Sequence, residues 1–190
     1  GPNPVAYPVP LLPLVDGGIL KNTFEICAAS STGAELSMDS TSIKASVQAG
    51  RGKEREQKSD IKHIGKTRGG LNTKIHAIVG KDLRPVAFLL SAGNVDDCTE
   101  AVPLLKLLSD LKDCDILADK AYGTKEIRTY LHDQSARYTI PPKVNTKQPW
   151  PFDKETYKRR NVIERFFNRL KEFRRAETRY DKRDDSFLAN

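Results

Sequence analysis

The sequence has few of the residues that build disulfide frameworks and zinc sites. Its 190 residues include only three cysteines, which lie far apart with no CxxC spacing, and an odd number of cysteines fits a reducing compartment. The three histidines are equally scattered, and none has a cysteine or a second histidine at metal-ligand spacing. The sequence therefore predicts neither a zinc site nor a disulfide-stapled fold.

Long apolar segments are also missing. No run approaches the ~20 residues needed to span a bilayer. The apolar stretch "VPLLPLV" near the start is broken by prolines and has no basic residues before it, unlike a signal peptide. We expect a cytoplasmic protein with no membrane association.

A nucleotide-binding loop is a third absence. The segment "HIGKTRGG" contains Gly-Lys-Thr, but a P-loop needs another glycine five positions before the Gly-Lys pair, and Asp60 stands there. The segment also precedes a predicted strand, whereas a P-loop leads into a helix. We therefore expect no nucleotide cofactor.

Positive charge, in contrast, is plentiful and unevenly placed. The formal net charge is +7, and residues 143–175 hold eleven Lys and Arg against four Asp and Glu. A basic region of this kind is typical of proteins that bind a polyanion such as nucleic acid.

The apolar patterns predict two regions, a Pro-rich arm at 1–35 that includes a short helix at 21–29, and a mixed α/β domain at 36–190. The order in the domain is strand, strand, strand, helix, strand, helix, strand, helix, which is that of a ribonuclease H-like fold with a mixed five-stranded sheet flanked by helices. The predicted elements are a strand at 36–43, a polar loop at 50–70, a hairpin of strands at 72–80 and 84–93, a helix at 95–112, a strand at 114–119, a helix at 124–134, a strand at 137–142 and a long helix that contains Glu164.

Two aspartates stand at strand positions where an acid is unexpected. Asp39 lies within a strand among small and apolar residues, and Asp119 ends the buried strand "DILAD". Ligand sites collect at strand ends in α/β sheets, because side chains emerge there at the sheet edge. Each aspartate is a candidate site residue, although an acid at a strand end can instead cap the following turn.

A third acid stands in the late helix "NVIERFFNRLKEFRR". At ~100° per residue, Glu164 falls on one side of the helix with Tyr157, Arg160 and Lys171. The opposite side is filled by Val162, Ile163, Phe166, Phe167, Leu170 and Phe173. A solvated surface on which Glu164 pairs with Arg or Lys explains the mixed charge. It explains less well a single carboxylate flanked by Tyr, Arg and Lys along one line.

Five stretches resemble the catalytic domain of the IS4/IS5-type DDE transposases, closest to the IS5 branch that includes the IS427 group. They are "MDSTSIKA", "GKTRGGLNTKIHAIV", "ILADKAYG", "IPPKVNTKQP" and "YKRRNVIERFFNRLKEFRRAETRYDK". The most specific element is the Y-x2-R-x3-E-x6-K pattern, matched by Tyr157, Arg160, Glu164 and Lys171.

The resemblance implies a DNA transposase that cleaves and transfers strands at insertion-sequence ends. It implies Asp39, Asp119 and Glu164 as catalytic residues that bind two Mg²⁺ ions, with Mn²⁺ as a substitute, and carboxylate oxygens are ligands that suit these ions. Tyr157, Arg160 and Lys171 would contact transposon-end DNA. The partners implied are terminal inverted repeats and target DNA in the bacterial nucleoid, with at least a homodimer in the synaptic complex.

Other residues extend the predicted DNA surface. Trp150 and Tyr157 are candidates for stacking on an unpaired base, although Trp150 could equally be packed under the Pro-rich loop. Gly123 is expected to form a turn, and Tyr122 to support Asp119. Phosphate contacts are expected from Lys143, Lys147, Lys158, Arg159, Arg165 and Arg169.

The resemblance is incomplete at both ends. Residues 1–20 do not resemble the helical segment with which relatives recognise terminal repeats, and relatives continue past the position of Asn190. We therefore expect residues 1–35 to be a truncated N-terminal region. The alternatives are a catalytically silent or host-adopted DNA-binding remnant, a ribonuclease H-like nuclease that does not join strands, and a basic scaffold protein.

Overall fold

The computed structural model of the protein describes residues 33–46, 63–172 and 178–180. Within these ranges the strands are β1 (Glu35–Ala45), β2 (Gly65–Thr67), β3 (Gly70–Gly80), β4 (Pro85–Ala92), β5 (Asp115–Ala118), β6 (Arg137–Thr139) and β7 (Thr178–Arg179). The α-helices are α1 (Ala101–Leu105), α2 (Lys125–Asp133), α3 (Lys154–Lys158) and α4 (Asn161–Glu172). Short 3₁₀ turns cover Asp97–Thr99 and Lys120–Tyr122.

All of these strands belong to one mixed sheet. Five of the strands follow the order β4-β3-β1-β5-β6, with β3 antiparallel to both β1 and β4, and β5 parallel to both β1 and β6. The other two strands extend the sheet, because β2 pairs with the start of β3 and β7 with the end of β1. Strand β1 is therefore central, and both of its faces are covered.

Side-chain alternation along β1 separates two core layers. Leu36 and Met38 face α1 and α2, where they join Leu104, Ile127 and other buried residues in the main core. On the other face, Ile163 and Phe167 of α4 pack against Ala77 and Val79 of β3. Asp39 pairs with Ala77 across the β1–β3 ladder, so it faces α4.

The predicted mixed α/β order is confirmed, with differences of detail. The strand carrying Asp39, the hairpin, and the later helix and strands all form where the patterns place them. The predicted five strands become seven, because β2 and β7 are three and two residues long and too short to show a pattern. Strand β2 lies within the predicted loop at 50–70, of which residues 50–62 fall outside the described ranges, as does the predicted helix at 21–29.

The helix predicted at 95–112 is wrong in extent. Only a 3₁₀ turn at Asp97–Thr99 and the short α1 form there. After α1 the backbone makes tighter bonds, from Leu107 N to the Leu104 carbonyl and from Leu108 N to the Leu105 carbonyl. Further on, Asp110 accepts a hydrogen bond from the Lys112 amide at 2.7 Å, a local turn that competes with a helix.

The single long helix predicted around Glu164 is also wrong, because the chain turns at Arg159–Arg160 and forms two helices. Asp153 caps α3 by accepting a hydrogen bond from the Glu155 amide at 2.9 Å. The predicted apolar side is confirmed in α4, where Val162, Ile163 and Phe167 are buried. The predicted Phe173 lies outside the described residues.

Within the described part of the chain, no helix has the length and apolar character required to cross a bilayer.

Candidate active site

The pairing of β1 with β5 brings the first two predicted site residues together. The strands run parallel with Met38 opposite Ala118, so the next residues, Asp39 and Asp119, occupy neighbouring positions. Adjacent strands lie about 4.8 Å apart, and side chains in register project from the same face. The sheet therefore places two carboxylates side by side at the end of β5.

The turn that follows β5 orients Asp119. Its Oδ1 atom accepts a hydrogen bond from the Ala121 amide at 2.7 Å, and its carbonyl accepts one from the Tyr122 amide at 2.9 Å. Asp119 thus caps the 3₁₀ turn, the role that an acid at a strand end can have instead of a role in the site. The two roles are compatible, because the cap uses one of the two carboxylate oxygens.

Arg160 links Asp39 to the third predicted carboxylate. Its Nη1 atom donates to Asp39 Oδ2 at 2.7 Å, and its Nη2 atom donates to Glu164 Oε1 at 2.5 Å. The Arg160 side chain is 14% exposed, and its guanidinium carbon lies 5.8 Å from the centre of the Tyr157 ring. The turn between α3 and α4 therefore directs one cation at two acids from distant parts of the sequence.

The electrostatics of the site favour a nearby cation. Burial raises the pKa of Asp39, and the charge of Asp119 raises it further. The Ser40 amide and Arg160 oppose this rise without cancelling it. Burial lowers the pKa of Arg160, but the charges of Asp39 and Glu164 and the hydrogen bond to Asp39 help to outweigh burial and leave the pKa above its usual value.

The residues present fit a hard divalent cation. All three candidate ligands are carboxylates, the donors that Mg²⁺ and Mn²⁺ prefer. Arg160 supplies positive charge between two of them, as a stand-in for a bound ion. Over the described ranges, however, no three His, Cys, Asp or Glu side chains lie close enough together to share a metal ion. Holding one would require the carboxylates to close around it.

Comparison with known proteins identifies the family. Residues 31–190 match the family described as "Transposase DDE domain". The chain belongs to this family.

Two individual proteins are similar to this chain. One is a Brucella ovis protein named as a transposase for insertion sequence element IS6501. It is 33% identical to this chain over 120 residues, which cover 62% of this chain and 90% of that protein. A solved structure of the Mos1 transposase in a paired-end complex with the left transposon end superimposes with a TM-score of 0.38 and 13% identity, covering 84% of this chain. The chain spans 61% of the Mos1 chain.

The transposase DDE domain exposes most of the cations predicted to bind DNA. Two of them already have acidic partners, since Arg159 Nη1 lies 3.1 Å from Glu35 Oε2 and Lys158 Nζ lies 2.7 Å from Glu155 Oε1. Tyr157 is half-buried, in edge contact with Phe152 at 5.9 Å between ring centres. The exposed cations are Lys143, Lys147, Lys158, Arg159, Arg165, Arg169 and Lys171.

Trp150 is placed as a packed residue of the DDE domain. Its Nε1 atom donates to the Ile140 carbonyl at 2.8 Å, and the Arg128 guanidinium lies 3.9 Å from its ring centre. The ring edge also closes on Gly123, where an added Cβ would lie 3.1 Å from Trp150 Cζ2. These contacts favour the packing alternative over base stacking.

Sequence reasoning missed one acid near the site, Asp97. It follows strand β4 in the stretch "GNVDD", and Lys74 Nζ lies 2.8 Å from its Oδ1 atom. The available signal was an acid in the short loop after an apolar strand, five residues beyond the end of β4. The predicted helix at 95–112 already explained Asp97, because acidic residues are common in the first turn of a helix.

Proposed function

We propose that this chain is a DNA transposase that cleaves strands at insertion-sequence ends and transfers them to target DNA. One observation carries the proposal. The β1–β5 register sets Asp39 beside Asp119, and Arg160 bridges Asp39 to Glu164, so Asp39 is linked to acids from two distant segments of the chain. Acids that serve only as surface charge are not expected to lie near one another, because their like charges repel.

We assign the fold to the ribonuclease H-like class and the chain to the IS5 branch, with resemblance to its IS427 group. The strand order β4-β3-β1-β5-β6 supports the fold assignment, because the β3–β4 hairpin lies beside the parallel strands β1, β5 and β6. Helix α2 connects β5 to β6 as a crossover, and the elements follow the predicted order. The branch assignment is supported by the four residues of the Y-x2-R-x3-E-x6-K pattern.

Asp39, Asp119 and Glu164 would hold two Mg²⁺ ions, with Mn²⁺ as a substitute. Such ions activate a water or a 3′-hydroxyl and stabilise the leaving oxygen during in-line displacement at phosphorus. The chain itself supplies the fixed framework for this chemistry. Strand β1 holds Asp39 rigidly, the Ala121 amide orients Asp119, and α4 presents Glu164 from across the site.

Arg160 has a second role in this proposal. Its guanidinium compensates the charge of Asp39 and Glu164, and it is also a residue of the pattern implied to contact transposon-end DNA. The planar guanidinium forms paired hydrogen bonds with phosphate as readily as with carboxylate. Transfer of Arg160 from the acids to a DNA phosphate would open the carboxylates at the moment the substrate arrives.

The exposed cations of α3, α4 and the turn between them would bind the DNA backbone next to the site. Lys158 ends α3, and Arg159 lies in the same turn as Arg160. Glu164 shares α4 with Arg165, Arg169 and Lys171. Phosphate contacts position DNA without reading its sequence. Synapsis of two ends would require at least a homodimer, acting on the bacterial nucleoid.

The test is an assay on labelled duplexes carrying the ends of the insertion sequence that encodes the chain. The wild type should nick these ends and join them to target DNA in Mg²⁺ or Mn²⁺, and do neither in EDTA. Glu164→Gln should abolish both reactions and leave DNA binding intact. Glu155→Gln is the matched control, because Glu155 is an exposed glutamate that pairs with Lys158 on α3.

Three results would contradict the proposal. Normal cleavage by Glu164→Gln would remove this residue from the site. Metal-dependent cutting without joining would identify a plain nuclease. Binding in EDTA with no cutting in either metal would identify a silent DNA-binding protein.

A further inference from the structure

A polar cluster lies on the face of the sheet opposite α4, directly behind Asp39. Ser40 and His76 sit opposite each other in the β1–β3 ladder and share the face of Met38. The 3₁₀ turn after β4 brings Asp97 to this face, where Lys74 Nζ donates to Asp97 Oδ1 at 2.8 Å and to the Val95 carbonyl at 2.7 Å. A half-buried ion pair is thus built into the back of the site.

Asp97 is connected to Asp39 through Ser40. The Ser40 side chain lies near the Asp97 carboxylate and, together with Lys74, lowers its pKa. The backbone amide of the same serine donates to Asp39 Oδ1 at 2.8 Å. Fixing Ser40 therefore fixes the donor that orients the Asp39 carboxylate.

Asp97 also faces the turn that Asp119 caps. Tyr122 lies in that turn with 2% of its surface exposed, and the two 3₁₀ turns contact each other. Burial raises the pKa of Tyr122, and the charges of Asp39, Asp97 and Asp119 raise it further, so its hydroxyl lies near all three acids. This hydroxyl is close to Ser40 but has no well-formed hydrogen bond among the described residues.

We propose that Asp97 is a positioning residue of the active site. Held by Lys74, it fixes Ser40 and thereby Asp39, and it keeps the turn after β4 against the turn that carries Asp119. It acts through these residues and does not contact the substrate. The proposal rests on the proposed function, since it assigns a role in the same site.

Two measurements test it, one of which needs no DNA. The first is Mn²⁺ affinity of the full chain, from the electron paramagnetic resonance signal of free Mn²⁺. The second is the kcat and KM of DNA cleavage. Asp97→Asn should weaken Mn²⁺ binding and lower kcat by about 10–100-fold each, with KM for DNA unchanged, as for other residues that orient metal ligands. Asp96→Asn is the control, because Asp96 is adjacent, exposed and makes no side-chain capping bond.

Lys74→Gln is the second variant, in case Asp97→Asn does not fold. It removes the ion pair and keeps a donor for the Val95 carbonyl, so it should show smaller losses in the same two quantities.

The proposal is overturned if Asp97→Asn matches Asp96→Asn in both quantities, or if its folded fraction is fully active. It is also overturned if Asp97→Asn and Lys74→Gln only lower the yield of folded protein, which indicates a purely structural role. If Asp97→Asn is as inactive as Asp39→Asn, Asp97 is a direct ligand and the proposal is again wrong. A wild type that binds Mn²⁺ but never cuts DNA would refute the proposed function, while a loss of Mn²⁺ affinity in Asp97→Asn would still support the positioning role.

Discussion

At the scale of single residues, the site is dominated by the environment of Asp39. Its side chain is 24% exposed and stands beside Asp119, and its carboxyl group has a raised pKa, so ionising it is costly without a cation. Arg160 offsets this cost in the protein alone. The same arrangement that disfavours the free anion makes it a strong ligand once a cation is available.

The clearest pH-dependent residue lies behind the site. His76 is 1% exposed, its Nε2 atom lies 2.7 Å from Ser91 Oγ, and burial lowers its pKa to about 4, with Lys74 adding to the fall and Asp97 opposing it. Because the folded pKa lies below the unfolded value of about 6.5, the unfolded chain takes up a proton first as pH falls. The stability contributed by neutral His76 is therefore complete above pH 6.5 and lost as pH falls toward 4.

We predict that the unfolding free energy of the wild type falls by about 2 kcal/mol more than that of His76→Gln between pH 7 and pH 5. Glutamine can still bond to Ser91 but does not titrate, so the difference isolates this histidine. Urea denaturation at several pH values measures it. His132→Gln, at a side chain that is 88% exposed, is the control. A difference between wild type and His76→Gln that stays constant over this range would contradict the assignment.

At the scale of elements, the turn after β5 is the least tolerant part of the site. Gly123 has an unstrained φ of −74°, but an added Cβ would lie 3.1 and 3.3 Å from two ring carbons of Trp150 and 3.2 Å from the Lys120 carbonyl. Trp150 is itself fixed by Ile140 and Arg128. The loop after β6 thus holds down the turn that carries Asp119.

We predict that Gly123→Ala destabilises the protein by about 1–3 kcal/mol, the usual cost of overpacking. Trp150 is the single tryptophan of the chain, so a shift of its fluorescence emission should accompany the loss of stability in denaturation curves. Gly69→Ala is the control, since its Cβ would meet only Thr67 Oγ1 at 3.8 Å. Unchanged emission and stability in Gly123→Ala would show that this contact is not tight.

Strand prediction from sequence succeeded where local chemistry and tertiary structure agree. Asp39 and Asp119 were recognisable because acids in apolar strands need a reason, and both lie where strands β1 and β5 place them. The metal-ligand and DNA-contact roles stay predictions.

The failures have tertiary causes. The break at Arg159–Arg160 was missed because every residue around it is compatible with a helix, and the pull of Asp39 on Arg160 comes from 121 residues away. The Asp97 cluster was missed for the same reason, since Lys74, Ser40 and Tyr122 meet only in the folded sheet. Strands β2 and β7 have the sequences GKT and TR, which contain no large apolar residue to mark a strand.

At the scale of the whole molecule, exposed positive charges lie on the surface around the acidic site. The net charge is +7, and the late helices present exposed cations next to a site made of acids. Such an arrangement attracts a polyanion by counterion release, while the acids themselves repel it. DNA should therefore bind more tightly when a cation neutralises the acids of the site.

We predict a steep salt dependence of DNA affinity. If Lys158, Arg159, Arg165, Arg169 and Lys171 each contact one phosphate, affinity should fall about 500-fold between 50 and 200 mM salt, from a slope near −0.9 per contact. Arg169→Gln should reduce this slope by about 0.9, measured by fluorescence anisotropy with a labelled duplex. Lys112→Gln, an exposed lysine before β5, should leave the slope unchanged. Equal slopes for Arg169→Gln and the wild type would remove α4 from the DNA surface.

The most direct test of the central claim is a change of metal preference in Asp119→Cys. A thiolate binds Mg²⁺ poorly but is accepted better by the softer Mn²⁺. If Asp119 is a metal ligand, Asp119→Cys should be inactive in Mg²⁺ and regain strand cleavage in Mn²⁺, while Asp119→Ala stays inactive in both. Cleavage by Asp119→Cys in Mg²⁺ at the wild-type rate, or failure of Mn²⁺ to distinguish it from Asp119→Ala, would contradict the account.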